Sequence, residues 1–236
     1  MINNIKLVVF DMAGTTVKDN DEVLNCFYEA CQESGLSANK DRLNALMGWS
    51  KVEVFRLLWQ EEIGTNLKDV DRVEHLAKES YTIFRDILEN YYHENKVEPT
   101  QGCLEIFDFL KSKNIKIALN TGFYREVTDI LLQKLGWQVG EQIDFVIASD
   151  EVLRGRPEPY MIRAAMDKFD IDDVRQVIKI GDTPVDLQEG KTVGCWNFGL
   201  TNGTHTQAQL EVYENDALFN SLFEFMAFLK QAELVS

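Results

Sequence analysis

Five short, mostly apolar runs punctuate the chain: IKLVVF (5–10), IKIALN (115–120), DFVIAS (144–149), QVIKIG (176–181) and CWNFGL (195–200). Runs of this length with few polar interruptions predict strands covered on both faces. From about residue 100 to 200 they alternate with helical stretches, CLEIFDFLKSK, YREVTDILLQKLG, PYMIRAAMDKF and PVDLQEGKTVG. That alternation predicts an α/β fold with a doubly wound parallel sheet. The first strand stands apart. Residues 20–95 carry no strand pattern and predict helices over 22–34, 40–47, 51–63 and about 69–94. In the last of these, Val73, Leu76, Ala77, Ile83, Phe84, Ile87 and Leu88 recur at helical spacing. The expected organisation is an α/β core from residues 1–16 and 97–236, with an all-helical domain, 17–96, inserted after strand one. The joints fall near VKDN and KVEPTQG.

Composition narrows the partners. The 236 residues are 45% apolar and 27% charged, enough for a sizeable core. The net charge of −15, without a basic run, argues against nucleic acid or an anionic membrane surface, though not against a small anionic substrate. Cys26, Cys31, Cys103 and Cys195 are scattered and form no CxxC, the usage expected of reduced thiols in the cytoplasm. The opening MINNIKLVVFD has no basic region and no 18-residue apolar run occurs, so neither a signal peptide nor a membrane span is expected. His75, His93 and His205 share no ligand spacing and are expected to be ordinary helix or loop residues.

The chemistry falls on the strand ends, where parallel α/β sheets bind their ligands. Strand one ends in Asp11. Strand two runs into Asn120-Thr121-Gly122. RGRPEP, with Arg156, follows the third, and GDTPVD, Gly181 to Asp186, closes the fourth. Asp11, Asp182 and Asp186 make an acidic set of the kind that holds Mg²⁺, and a carboxylate can also serve as nucleophile. Thr121 offers a hydroxyl and an N–H near a helix start, suited to a phosphoryl oxygen. Arg156 offers a fixed positive charge.

DMAGT, NTG, RP and GDTPVD resemble, in order, the four motifs of the haloacid dehalogenase superfamily, over essentially the whole chain. The resemblance implies a helical cap at the inserted block and Asp11 as nucleophile. It implies Mg²⁺ held by Asp11, the backbone carbonyl of Ala13 and Asp182, with Asp186 on the ion or behind it. Thr15, Thr121 and Gly122 count as substrate-binding. A homodimer through cap helices is allowed by the same resemblance, and the cap must move for substrate to enter.

Ala13 is the informative departure. Most phosphatases of the superfamily carry a second Asp there, which protonates the leaving alkoxide, help worth about 10²–10⁴-fold. DxAGT together with GRP, where most relatives have Lys in place of Arg156, resembles the phosphonatase branch, phosphonoacetaldehyde hydrolase and its close relatives. C–P cleavage needs an electron sink, which that branch supplies through a cap lysine in a Schiff base. MGWSKVEVFRLL has the matching M-G-x-x-K spacing and places Lys51 there. Ser50-x-x-Glu53 reads as a capping box that sets Lys51 in the first helical turn, where the helix end disfavours its charge. The same end could instead attract a substrate anion. GWSK equally matches a substrate-recognition loop of many caps, with Gly48 and Trp49 facing the substrate. Val54 and Phe123 stand where phosphonatase has His and Tyr. Two further readings stay open: a phosphate-ester phosphatase or phosphosugar mutase, and a protein that only binds a phosphorylated ligand. Phe27, Phe55, Trp59, Phe84 and Tyr91 are expected to pack between helices.

Overall fold

The apolar runs become strands of one parallel sheet. The computed structural model describes residue 2 and residues 4–64 and 69–232. Among these, β1 (Leu7–Phe10), β2 (Lys116–Thr121), β3 (Phe145–Ala148), β4 (Val177–Gly181), β5 (Trp196–Leu200) and β6 (Ala217–Phe219) pair in the order β3-β2-β1-β4-β5-β6, all parallel. The two-residue side-chain period splits β1 between two cores. Val8 and Phe10 join one apolar cluster, Leu7 and Val9 the other. Both faces are covered, which is why the strands read as continuous apolar runs rather than alternating ones. β6 was not expected: three residues at a sheet edge, within ENDALFN, carry too little pattern to read.

Between β1 and β2 come α1 (Glu22–Ser34), α2 (Lys40–Asn44), α3 (Lys51–Ile63), α4 (Val70–Glu94) and α5 (Cys103–Ser112). After β2 come α6 (Arg125–Leu135), α7 (Tyr160–Lys168), α8 (Pro184–Val193), α9 (Gln207–Leu210) and α10 (Leu222–Gln231). Ile106 of α5, Leu131 of α6 and Phe225 of α10 pack on the Phe10 side of the sheet. Ile162 of α7 and Val193 of α8 pack on the Leu7 side. Helices on both faces make the sheet doubly wound.

Helices α1–α4 form a block of their own. The residues of α4 that are fully buried, Val73, Ala77, Ser80, Phe84, Leu88 and Tyr92, follow the expected helical spacing. Phe27 of α1, Phe55 of α3 and Phe84 of α4 meet at its centre, with ring centroids 5.0 to 6.1 Å apart. The helix expected over 40–47 is shorter. It ends at Asn44, and i to i−3 bonds (Leu46 N–H to Leu43, Met47 N–H to Asn44) tighten the chain into a turn. The two chain crossings into the block lie side by side: Lys18 N–H donates to Glu98 O at 3.0 Å and Thr100 N–H to Thr16 O at 2.9 Å. All four cysteines are buried and unpaired, and no described helix is long and apolar enough to cross a membrane.

Phe84 is fully buried against two other aromatic rings. Phe84→Ala is expected to lower the stability of the helical block by about 3–5 kcal/mol, measured by urea titration; a change under about 1 kcal/mol would contradict this packing.

Candidate active site

The sheet order reverses between β1 and β4, and the crevice at that switch collects the motif residues. Asp11 follows β1, its N–H donating to Ile180 O of β4 at 3.0 Å. Asp182 follows β4, and Asp186 sits in the first turn of α8. Oxygens of these three buried carboxylates lie within 4.8 Å of one another. The start of α8 fixes Asp186 locally. Thr183 and Asp186 form a reciprocal capping box with Pro184 at the first helical position, so the acid is held where the helix begins.

Arg156, from the loop between β3 and α7, reaches into the middle of this set. Its Nη1 lies 2.6 Å from Asp11 Oδ1 and 2.9 Å from Asp186 Oδ1, and its Nε 3.3 Å from Glu189 Oε2. Its Nη2 donates to Asn120 O at 2.6 Å and Oδ1 at 2.8 Å. Lys179, in β4, adds a second cation, 2.8 Å from Asp186 Oδ1 and donating to Asn120 Oδ1 at 2.7 Å. Asn120 returns its amide hydrogens to both oxygens of Glu189. Four buried carboxylates thus face two buried cations.

Burial raises three of the four acids, Asp11, Asp182 and Glu189. Burial pushes Asp11 up to about 7, against the pull of Arg156 and with the push of Asp186 and Asp182. Burial and Asp186 push Asp182 up to about 6. Asp186 is equally buried, but Arg156 and Lys179 hold it below the ordinary carboxylate value. Both its oxygens are engaged, Oδ1 by Arg156 and Lys179, Oδ2 by Thr183. A divalent cation with hard oxygen preference fits this set: it would neutralise the excess charge and restore Asp11 and Asp182 to their ionised forms.

Over the carboxylates lies a small cavity, about 30 Å³, shared by sheet and helical block. Asp11, Ala13, Gly48, Lys51, Thr121 and Gly122 from the expected set line it, with Val23, Met47, Phe123, Thr183 and Thr204. The turn at Gly48 rests on the strand ends: a side chain at Gly122 would put its Cβ 2.5 Å from Gly48 O. Lys51, the first residue of α3, is only 5% exposed, with its Nζ 5.4 Å from the Phe27 ring centroid and donating to Trp49 O at 3.3 Å. Burial pushes its amine down to about 8, while nearby Asp11 opposes the shift. The capping box expected at Ser50 is absent. The Ser50 side chain makes no cap bond, and the Glu53 carboxylate pairs with Arg56 instead of returning to the Ser50 N–H. The direction of the Lys51 shift is as expected, but burial is its leading cause.

Two expected substrate contacts sit elsewhere. Thr15 donates its hydroxyl to Asp182 Oδ1 at 3.0 Å and does not line the cavity. The Trp49 ring packs on the apolar core, and its backbone carbonyl takes Lys51. Val54 is buried in the helical block. Lys179, Glu189 and Thr204 were not anticipated. A lysine inside the apolar run QVIKIG was a signal, as was Glu189 one turn beyond Asp186. Thr204 lies in a loop that carries no such mark.

A family model described as haloacid dehalogenase-like hydrolase matches residues 8–199. The phosphonoacetaldehyde hydrolase of Bacillus cereus strain G9842 is 30% identical over 210 residues, covering 85% of this chain and 77% of that one. A hydrolase from Pseudomonas syringae superposes with a TM-score of 0.84 at 18% identity, over 97% of this chain and 99% of that one. A phosphonoacetaldehyde hydrolase-like protein from Oleispira antarctica gives 0.79 at 18% identity, over 98% and 93%.

Lys179 is wholly buried between two carboxylates. Lys179→Met strips a partner from each, and a loss of about 3–5 kcal/mol in urea titration is expected; an unchanged midpoint would mean the cluster does not need this charge.

Proposed function

The chain belongs to the haloacid dehalogenase-like hydrolases, and from that premise we propose that it is a Mg²⁺-dependent hydrolase of the C–P bond in phosphonoacetaldehyde or a related small phosphonate. One observation carries the proposal. Ala13, at the position of the missing second acid, and the buried amine of Lys51 line the same cavity as Asp11. A phosphate ester leaves as an alkoxide and gains from an acid; a carbanion gains from an imine.

In this reading Lys51, as the neutral amine, attacks the substrate aldehyde, and loss of water with uptake of one proton from solvent leaves a protonated imine. The Asp11 carboxylate then attacks phosphorus in line. The C–P bond breaks, and its electron pair moves into the imine as an enamine. Protonation at carbon and hydrolysis return the aldehyde without its phosphonyl group and free Lys51. Water cleaves the Asp11 acyl phosphate and releases phosphate. Arg156 orients Asp11 and balances charge as the phosphoryl group arrives. Thr121 and the backbone at Gly122 receive the phosphoryl oxygens. Asp11, Asp182 and the carbonyl of Ala13 would hold Mg²⁺, with Asp186 anchoring Arg156 behind them. The ion would supply charge neutralisation at the transferring group. The helical block acts as a cap that brings Lys51 to the core and excludes water when closed. Val23, Met47 and Phe123 leave the organic end of the substrate small and uncharged.

A second reading keeps the fold and reassigns Lys51 to recognition in an ester phosphatase. The contact of Gly48 with Gly122 supports it, since that turn lies where a phosphoryl group would sit. Phosphate release with Mg²⁺ from phosphonoacetaldehyde and, in parallel, from phosphate monoesters separates the two. The proposal expects turnover of the phosphonate, abolished in Lys51→Arg. Lys51 must be neutral to attack, so kcat/KM is expected to rise with pH and level off above about 8, where that amine titrates. Turnover of esters alone, or full activity in Lys51→Arg, would overturn it.

A further inference from the structure

The loop after β5, Thr201-Asn202-Gly203-Thr204, belongs to none of the four motifs, yet it closes over Asp182. Thr204 gives Asp182 Oδ2 both its N–H, at 2.7 Å, and its hydroxyl, at 2.8 Å. Asp182 Oδ1 receives the Thr15 hydroxyl, at 3.0 Å. The two oxygens of this fully buried carboxylate are therefore not equivalent.

The difference can be counted in lone pairs. An ionised carboxylate only accepts, at about two sites on each oxygen. The N–H and O–H of Thr204 fill both sites of Oδ2, whereas the Thr15 hydroxyl fills one of Oδ1. With its hydrogen on Asp182, the Thr204 oxygen is left to accept from His205 Nδ1, 3.0 Å away. Backbone closes round Oδ2 as well: it is the atom that a Cβ on Gly14 or on Gly203 would meet first. Oδ2 is thus wedged between two backbone segments, and Oδ1 keeps the open site. Asp11 is similarly reduced, its Oδ1 lying 2.6 Å from Arg156 Nη1. Asp186 has Oδ1 on Arg156 and Lys179 and Oδ2 on Thr183.

We propose that Thr204 is a positioning residue that reserves Asp182 as a single-oxygen ligand, through Oδ1, and thereby selects Mg²⁺ over Ca²⁺. Resting on the Mg²⁺ reading above, the inference assigns the choice of ion to a residue outside the motifs. Mg²⁺ demands a compact, near-octahedral set and keeps several waters, so single carboxylate oxygens suit it. Ca²⁺ gathers roughly 6–8 oxygens at longer distance and often takes both oxygens of a carboxylate. Turning Asp182 Oδ2 to an ion would break both Thr204 bonds. Asp186, with both oxygens engaged, does not make up the number. The larger ion is therefore denied the ligands that would favour it.

The test is calorimetric titration of the metal-free protein with Mg²⁺ and, separately, with Ca²⁺. Thr204→Val keeps the shape and the N–H but removes the hydroxyl, and is expected to lower the ratio of Mg²⁺ to Ca²⁺ affinity about 10-fold. Thr204→Ser, which keeps the hydroxyl, is expected to hold the ratio close to that of the unaltered protein. A purely structural role would weaken both ions alike. An unchanged ratio in Thr204→Val, or an equal fall in Thr204→Ser, overturns the inference and leaves the functional reading intact. A crystal structure of the unaltered protein with Mg²⁺ needs no variant, so poor folding of Thr204→Val does not rescue the idea. There Asp182 is expected to reach the ion through Oδ1 alone, with both Thr204 bonds kept; an ion on Oδ2 overturns the inference. Absence of Mg²⁺ binding in the unaltered protein overturns both readings.

Discussion

Arg156 sits fully buried between Asp11, Asp186 and Glu189, and much of the site follows from keeping that charge satisfied. An ionised side chain in such a place is strongly unfavourable unless its partners are close and well oriented. The sheet supplies them because β1, β2 and β4 end together at the switch point, bringing Asp11, Asn120 and the start of α8 to one spot. Lys179 then answers the surplus at Asp186 and Glu189, and Asn120 bridges the two cations to Glu189. Apolar packing could stabilise such a core as well. A held, desolvated carboxylate at Asp11 is what the ionic arrangement adds.

The same constraint explains why the charge is left incomplete on the cavity side. Among the four acids only Asp186 is held below its ordinary value, by Arg156 and Lys179, whereas burial raises Asp11, Asp182 and Glu189. The helical block covers this opening with Lys51, whose amine burial lowers to about 8. The Asp11 carboxylate and the Lys51 amine thus share one small cavity, which in the proposed reading takes the ion and the carbonyl side by side. Ala13 is a meaningful departure in that setting, because a second acid there would add yet another buried negative charge beside Asp11 and Asp182.

Much of this was legible in the chain. Apolar runs located five strands because each is covered on both faces, and the 3.6-residue spacing located α4 because one stripe of it is buried. The motif residues were legible because chemistry concentrates on strand ends, which the runs themselves mark. What escaped depends on tertiary context. β6 is an edge strand of three residues, and the end of α2 is a turn set by the need to lay Gly48 on Gly122. The Ser50 capping box does not form: Ser50 makes no cap bond, and the Glu53 carboxylate lies with Arg56, which also pairs with Glu74. Thr15 carried the right residue type in the right motif, but its hydroxyl points to Asp182 rather than into the cavity. Thr204 lies in a loop whose sequence has no periodicity, and only the folded chain brings it to Asp182.

The central claim is that Lys51 forms a covalent imine with the substrate while Asp11 takes the phosphoryl group. Borohydride reduces such an imine to a stable amine in place. Treating the protein with borohydride and phosphonoacetaldehyde, then mapping the product by mass spectrometry, tests the claim most directly. The account predicts inactivation that requires substrate and a single alkyl addition on Lys51. Continued turnover of the phosphonate under borohydride, with Lys51 unmodified, would contradict it.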